Sequence, residues 1–146
     1  MATTHRGRTA PRAVPTTPAE RFARWTGAIY AGVGIVGFGL TGFGDPLATT
    51  GSQLGMLEVN PLHNLLHLLV GSGLLIGGSA GPDPARTLTL LAATSFAVAS
   101  LFGFALVGTD GNVLALNHAD NLVHLATAAL AAVCVLTSPR GRALRP

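Results

Sequence analysis

Four long apolar stretches constrain this sequence more than any other feature. They comprise residues 25–43, 62–80, 87–108 and 119–137. A helix needs roughly 20 apolar residues to cross a hydrocarbon core about 30 Å thick. The first and third stretches contain no charged side chain, and the second and fourth contain only His63, His67, Asp120 and His124 as ionisable groups. The pattern therefore predicts an all-α fold, an integral membrane four-helix bundle.

The composition excludes the classes of protein that need a polar surface. Charged residues form 10% of the chain and hydrophobic residues 49%, whereas charged residues make up about 25% of a typical soluble domain. All nine basic residues are arginines, and they form no stripe interleaved with aromatic residues, as a nucleic-acid-binding face requires. We expect the lipid bilayer to be the main partner and no nucleic acid to bind.

The arginines predict the orientation in the membrane. They are Arg6, Arg8, Arg12, Arg21, Arg24, Arg86, Arg140, Arg142 and Arg145. They precede the first stretch, separate the second from the third, or follow the fourth, and basic residues near span ends stay in the cytoplasm. We predict a disordered basic cytoplasmic tail over residues 1–16, a transmembrane domain over 17–138 and a second basic cytoplasmic tail over 139–146.

Short polar residues followed by proline mark three helix starts. The pairs are Thr17-Pro18, Asn60-Pro61 and Asp83-Pro84. The polar side chain satisfies free backbone N–H groups, and proline fits the first helical position. Thr17 with Glu20 forms a capping-box pattern. Asn117 marks the fourth start, with Asp120 in the first turn, where a carboxylate favours the positive end of the helix dipole.

The two halves of the sequence match at an offset of 57 residues, with residues 57–68 aligned to 114–125. The identical polar pairs in this alignment are Asn60 with Asn117, Asn64 with Asn121, and His67 with His124. Each half contributes two stretches, so both halves enter the membrane in the same direction. The sequence predicts two parallel-repeat helical hairpins, not the inverted repeats of many transporters.

Helical periodicity places the polar residues of each half on one face. Asn60, His63, Asn64 and His67 share a face of the second stretch, and Asn117, Asp120, Asn121 and His124 share the equivalent face of the fourth. Unpaired polar groups cost several kcal/mol in lipid, so the two faces should meet in the outer half of the bundle. We expect this cluster to pack the helices, with the four asparagines as its structural members.

Three other functions remain open for the same cluster. His63 and His67 lie four residues apart, and with Asp120 and His124 they form a ligand set for a divalent metal. Haem b ligated by His67 and His124 is a second alternative. A proton or small-solute pathway is the third, because ionisable residues inside a membrane often serve transport. No nucleophile with a base and no pair of carboxylates indicates an enzyme.

Small residues suggest close helix packing on the second stretch. Gly73 and Gly77 are four residues apart, the spacing by which two membrane helices approach closely. This pair predicts packing either inside the bundle or between two copies of the chain, that is, a homo-oligomer.

The two asparagine-histidine segments, residues 60–67 and 117–124, also carry a family resemblance. They resemble a family of small, mostly actinobacterial, four-span membrane proteins classed as a domain of unknown function of the 4383 type. The resemblance covers about residues 21–137. It implies a multi-pass protein of the bacterial inner membrane, and it implies no activity. The arginines separately predict that both termini lie in the cytoplasm.

Overall fold

The computed structural model describes residues 15–140, which form four helices and one short β-hairpin. The helices are α1 (Pro18–Thr41), α2 (Pro61–Ala80), α3 (Pro82–Leu106) and α4 (His118–Thr137). Between α1 and α2, strand β1 (Ser52–Leu54) pairs antiparallel with β2 (Leu57–Val59). The predicted all-α helical bundle is confirmed. Of the predicted tails, residues 1–14 and 141–146 lie outside the described residues.

Three of the predicted helix starts have the expected capping contacts. The hydroxyl of Thr17 accepts a hydrogen bond from the Glu20 N–H at 3.2 Å, and the Glu20 carboxylate accepts one from the Thr17 N–H at 2.7 Å. Asn117 and Asp120 form the same reciprocal box at the start of α4. Asn60 accepts a hydrogen bond from the backbone N–H of the third residue of α2. Each contact satisfies a donor that a helix start leaves free.

The start of α3 differs from the prediction. Gly81 occupies the cap position and makes no side-chain hydrogen bond, while Asp83 lies within the first turn. Gly81 has a φ of 118°, a conformation that glycine adopts without strain. This glycine permits the sharp reversal from α2 into α3, so the helix begins at Pro82 and not at Pro84.

Three described helices, α2, α3 and α4, are long and apolar enough to cross a membrane. Large hydrophobic side chains on the outside of the bundle, such as Ile76, Leu101 and Leu136, are 68%, 68% and 81% exposed. Such a surface suits lipid and not water. The chain is therefore a membrane protein. Helix α1 does not reach the same apolarity, because its first turns carry Arg21 and Arg24 and its length is rich in glycine.

The helices pack in two close pairs, α1 on α2 and α3 on α4. In the first pair a Cβ added at Gly27 would lie 2.8 Å from the carbonyl oxygen of Gly71, so the two backbones are in direct contact. Gly77 contacts Leu88 of α3, which places one of the two small residues predicted for packing inside the bundle. All four helices then contribute to one apolar core that surrounds Tyr30 and Leu74.

Candidate metal centre

Three histidines from the two polar faces converge inside the bundle. His63 and His67 lie on α2, His124 lies on α4, and their ligand nitrogens all lie within 4.8 Å of one another. Nε2 of His67 and Nε2 of His124 lie 3.5 Å apart. The three side chains are only 2%, 5% and 4% exposed. The histidines of the two predicted polar faces therefore meet, whereas Asn64 and Asn121 pack against α1 and α3.

Two ring nitrogens of this histidine cluster, Nδ1 of His67 and Nδ1 of His124, lack a hydrogen-bond partner among the described residues. The ring of His63 instead lies within reach of the backbone carbonyl oxygens of Glu58 and Leu114. A buried polar atom without a partner costs about 1–3 kcal/mol. Three buried imidazoles would therefore lower the stability of the protein unless another interaction compensated for this cost. The cluster is chemically suited to bind a ligand that satisfies these nitrogens.

Aromatic rings enclose the histidine cluster on the side of the apolar core. The ring of Tyr30 lies 4.9 Å from that of His67, and the ring of Phe96 lies 5.2 Å from that of His124, between centroids. The hydroxyl of Tyr30 shares a 2.9 Å hydrogen bond with that of Thr127. Sequence reasoning missed these neighbours, because no spacing links them to the histidines. The available signal was that a tyrosine within an apolar helix needs a polar partner.

Asp120 is not part of the converging group. Its Oδ2 accepts hydrogen bonds from the backbone N–H of Asn117 at 2.9 Å and of Glu58 at 3.1 Å. The carboxylate therefore caps α4 and fixes the end of the β-hairpin to that helix. It lies one turn before His124 along α4, close enough to contribute negative charge near the cluster without a direct contact.

Asn60 joins three segments of the outer end. Its Oδ1 accepts a hydrogen bond from the His63 N–H at 2.8 Å. Its Nδ2 donates to the carbonyl oxygens of Ala48 and Val113, each at 2.8 Å. One buried amide thus caps α2 and holds both outer loops above the histidine cluster. Asn117, its counterpart, caps α4 and donates to the carbonyl oxygen of Met56 at 2.9 Å.

We expect Asn60→Ala to destabilise the protein more than Asn117→Ala does. Both substitutions remove a helix cap, worth about 0.5–2 kcal/mol. Asn60 is 1% exposed, and its loss also leaves two loop carbonyl oxygens without their donor, at about 1 kcal/mol or more each. The measurement is the melting temperature of each variant in detergent. Because Asn117 makes one loop contact of its own, to Met56, equal losses would show that the two loop contacts of Asn60 contribute no more than that single contact.

Asn64 and Asn121 lie at equivalent places in the two helix pairs. Both are fully buried, and their side-chain amides contact glycines on the neighbouring helix, Gly37 for Asn64 and Gly103 for Asn121. The Asn64 amide also donates to the hydroxyl of Thr41 at 3.0 Å. Each glycine leaves the space that the amide fills, so an asparagine packs directly against a helix backbone in both pairs.

A family model described as "Domain of unknown function (DUF4383)" matches residues 20–137. The chain belongs to the DUF4383 family. The resemblance carried by the asparagine-histidine segments is thereby confirmed. No curated protein and no solved structure matches the chain.

The matched region includes every residue of the histidine cluster and all four asparagines around it. The site of this DUF4383 protein thus lies inside the family's domain and not in an appended segment. The family description assigns no activity, so a function for the DUF4383 protein has to be argued from the site itself.

Proposed function

We propose that this DUF4383 protein binds a divalent transition-metal ion through His63, His67 and His124. The convergence of three buried imidazoles is the observation that carries the proposal. Two nitrogens bound to one tetrahedral ion at about 2.0–2.1 Å lie about 3.4 Å apart. The 3.5 Å between His67 and His124 already matches this spacing. Imidazole ligands suit zinc, copper, iron and nickel.

The ligand set is three histidines and not the four-residue set that includes Asp120. Three protein ligands leave a fourth coordination position for water or another small ligand, as in catalytic zinc sites. The buried charge of the ion needs compensation. We expect the carboxylate of Asp120, one turn before His124 on α4, to contribute to this compensation.

The contacts of the cluster favour different roles for its asparagines and its histidines. Asn60 and Asn117 form hydrogen bonds to loops and helix starts, and Asn64 and Asn121 pack on glycine, which supports a packing role for the asparagines. The histidines differ because their ligand nitrogens converge within 4.8 Å of one another, which supports a ligand-binding role. Haem fits less well than a bare ion, because His63 and Tyr30 occupy the space beside His67 that a porphyrin ring would need.

Elemental analysis of the detergent-purified protein tests this proposal. We expect about one zinc, copper, iron or nickel ion per chain in the native protein, and its loss in His67→Ala and in His124→Ala. His118→Ala is the matched control, because His118 also lies on α4 but is exposed and outside the cluster. A metal content that is equal in all four proteins, or absent from the native one, would contradict the proposal.

We also propose that the chain crosses the bacterial inner membrane four times, as two parallel repeats with both termini in the cytoplasm. Two contacts support termini on one side: the Ser138 hydroxyl, after α4, accepts the Ala19 N–H of α1 at 2.8 Å, and Arg24 donates to Gly78 at 2.7 Å. The arginines near these ends favour the cytoplasmic side. The equivalent asparagine-glycine contacts of the two helix pairs support the repeat.

Reporter fusions test the orientation. A fluorescent protein fused after the last residue should be fluorescent in intact cells, and alkaline phosphatase at the same position should be inactive. Alkaline phosphatase inserted in the outer loop at residues 44–50 should be active. Activity of the C-terminal phosphatase fusion would overturn the assigned sidedness.

A further inference from the structure

The histidine cluster opens into a cavity of about 150 Å³ between α2 and α3. Apart from the three histidines, its lining is apolar except for one serine: Leu66, Val70, Ser95, Phe96, Ala99 and Leu114. An apolar cavity of about 150 Å³ holds a single six-membered ring. Apart from the histidines, the lining contains no ionisable side chain.

An apolar groove of about 230 Å³ continues this cavity along α2 and α3. The two spaces share Val70 and Ser95 in their linings. A Cβ added at Gly73 would meet nothing within 4 Å, so this glycine leaves the groove open. Leu69 and Leu91 are 61% and 57% exposed, so these two groove-lining residues face the surrounding lipid. The groove suits an unbranched or lightly branched hydrocarbon chain entering from the bilayer.

The hydrogen-bonding groups at the histidine end of the cavity indicate which head group that ligand carries. A neutral imidazole offers one N–H donor and one acceptor nitrogen, and Nδ1 of His67 and Nδ1 of His124 have no partner among the described residues. A carbonyl or hydroxyl oxygen can pair with them. Phe96 supplies an aromatic surface for a planar ring.

We infer that the cavity and groove between α2 and α3 bind an isoprenoid quinone or quinol, with its ring against the histidine cluster and its tail along the groove. This class of lipid combines a neutral planar ring, oxygen atoms at the ring edge and an apolar tail. The inference goes beyond metal binding and does not require it, because the imidazoles recognise the ring oxygens with or without a bound ion.

Photolabelling in lipid nanodiscs tests the inference. The probe is an azido-substituted 1,4-benzoquinone that carries a short isoprenoid tail, and labelled peptides are identified by mass spectrometry. We expect the label on residues that line the two spaces, such as Leu66, Ser95 and Ala99. An unlabelled tailed benzoquinone should compete, and a straight-chain alcohol of the same length should not. Equal competition by the alcohol would show a plain lipid groove and overturn the inference.

Two variants separate the ring site from the tail site. Ser95→Phe places a ring at the junction of both spaces, and we expect it to weaken labelling about tenfold. Thr94→Phe is the matched control, because Thr94 is the preceding exposed residue of α3 and lines neither space. Gly73→Leu fills only the groove, so it should weaken binding of the tailed benzoquinone and spare the tail-less one. Equal labelling of Ser95→Phe and Thr94→Phe would overturn the inference.

Metal content is measured on the same samples, so the two proposals fail separately. Ser95→Phe should keep the metal of the native protein, which also shows that it is folded. Quinone labelling without bound metal would contradict the proposed function and leave this inference standing. Bound metal with no specific labelling would contradict this inference and leave the proposed function standing.

Discussion

Replacing Gly37 by alanine is expected to lower the stability of the bundle by about 1–3 kcal/mol, the usual cost of overpacking a core. The new Cβ would collide with the side-chain amide of Asn64. Because Asn64 is fully buried, its amide has no free space to move into. For a chain of this size we expect a melting temperature lower by roughly 3–10 °C.

Gly39→Ala is the matched control, two residues further along the same helix. A Cβ there meets nothing within 4 Å, so this change should be neutral or slightly stabilising through better helix propensity. Gly103→Ala should reproduce the loss in the second helix pair, because its Cβ would collide with Asn121. A Gly37→Ala variant as stable as Gly39→Ala would contradict the packing described for Asn64.

The metal-binding proposal predicts the second large effect, which follows removal of the ion. A ligand that binds only the folded protein stabilises it by about 2.7 kcal/mol at a hundredfold excess over its dissociation constant. Treatment with a chelator should therefore lower the melting temperature of the native protein, and re-addition of the metal should restore it. The measurement is a thermal scan in detergent with and without the ion.

Two variants control the thermal scan. His118→Ala keeps the three converging histidines and should respond to the ion as the native protein does. His67→Ala lacks one ligand and should show no shift. A shift of the same size in His67→Ala would place the stabilising ion elsewhere in the protein.

Much of this arrangement follows from local sequence rules. A short polar residue before a helix satisfies free N–H groups in any tertiary context, so the caps at Thr17, Asn60 and Asn117 were predictable. Helical periodicity likewise placed the histidines of α2 on one face, and the repeat placed His124 opposite them. The capping and periodicity signals depend only on residues within one or two turns of each other, and the repeat is visible when the sequence is compared with itself at an offset of 57 residues.

The features that sequence reasoning missed depend on contacts between distant segments. Glu58 gives no local signal that its backbone N–H will donate to Asp120. The β-hairpin after α1 is only two strands of three residues each, too short for a clear alternation. Tyr30 approaches the histidines only because glycines allow α1 and α2 to pack closely.

X-ray absorption at the edge of the bound metal tests the central claim most directly. Three imidazoles around one ion predict about three nitrogen ligands at 2.0–2.1 Å, with the outer-shell scattering of histidine rings. The signal should be kept in His118→Ala and lost in His124→Ala. A first shell made of oxygen alone, or a spectrum unchanged in His124→Ala, would contradict the assignment of His63, His67 and His124 as the ligands.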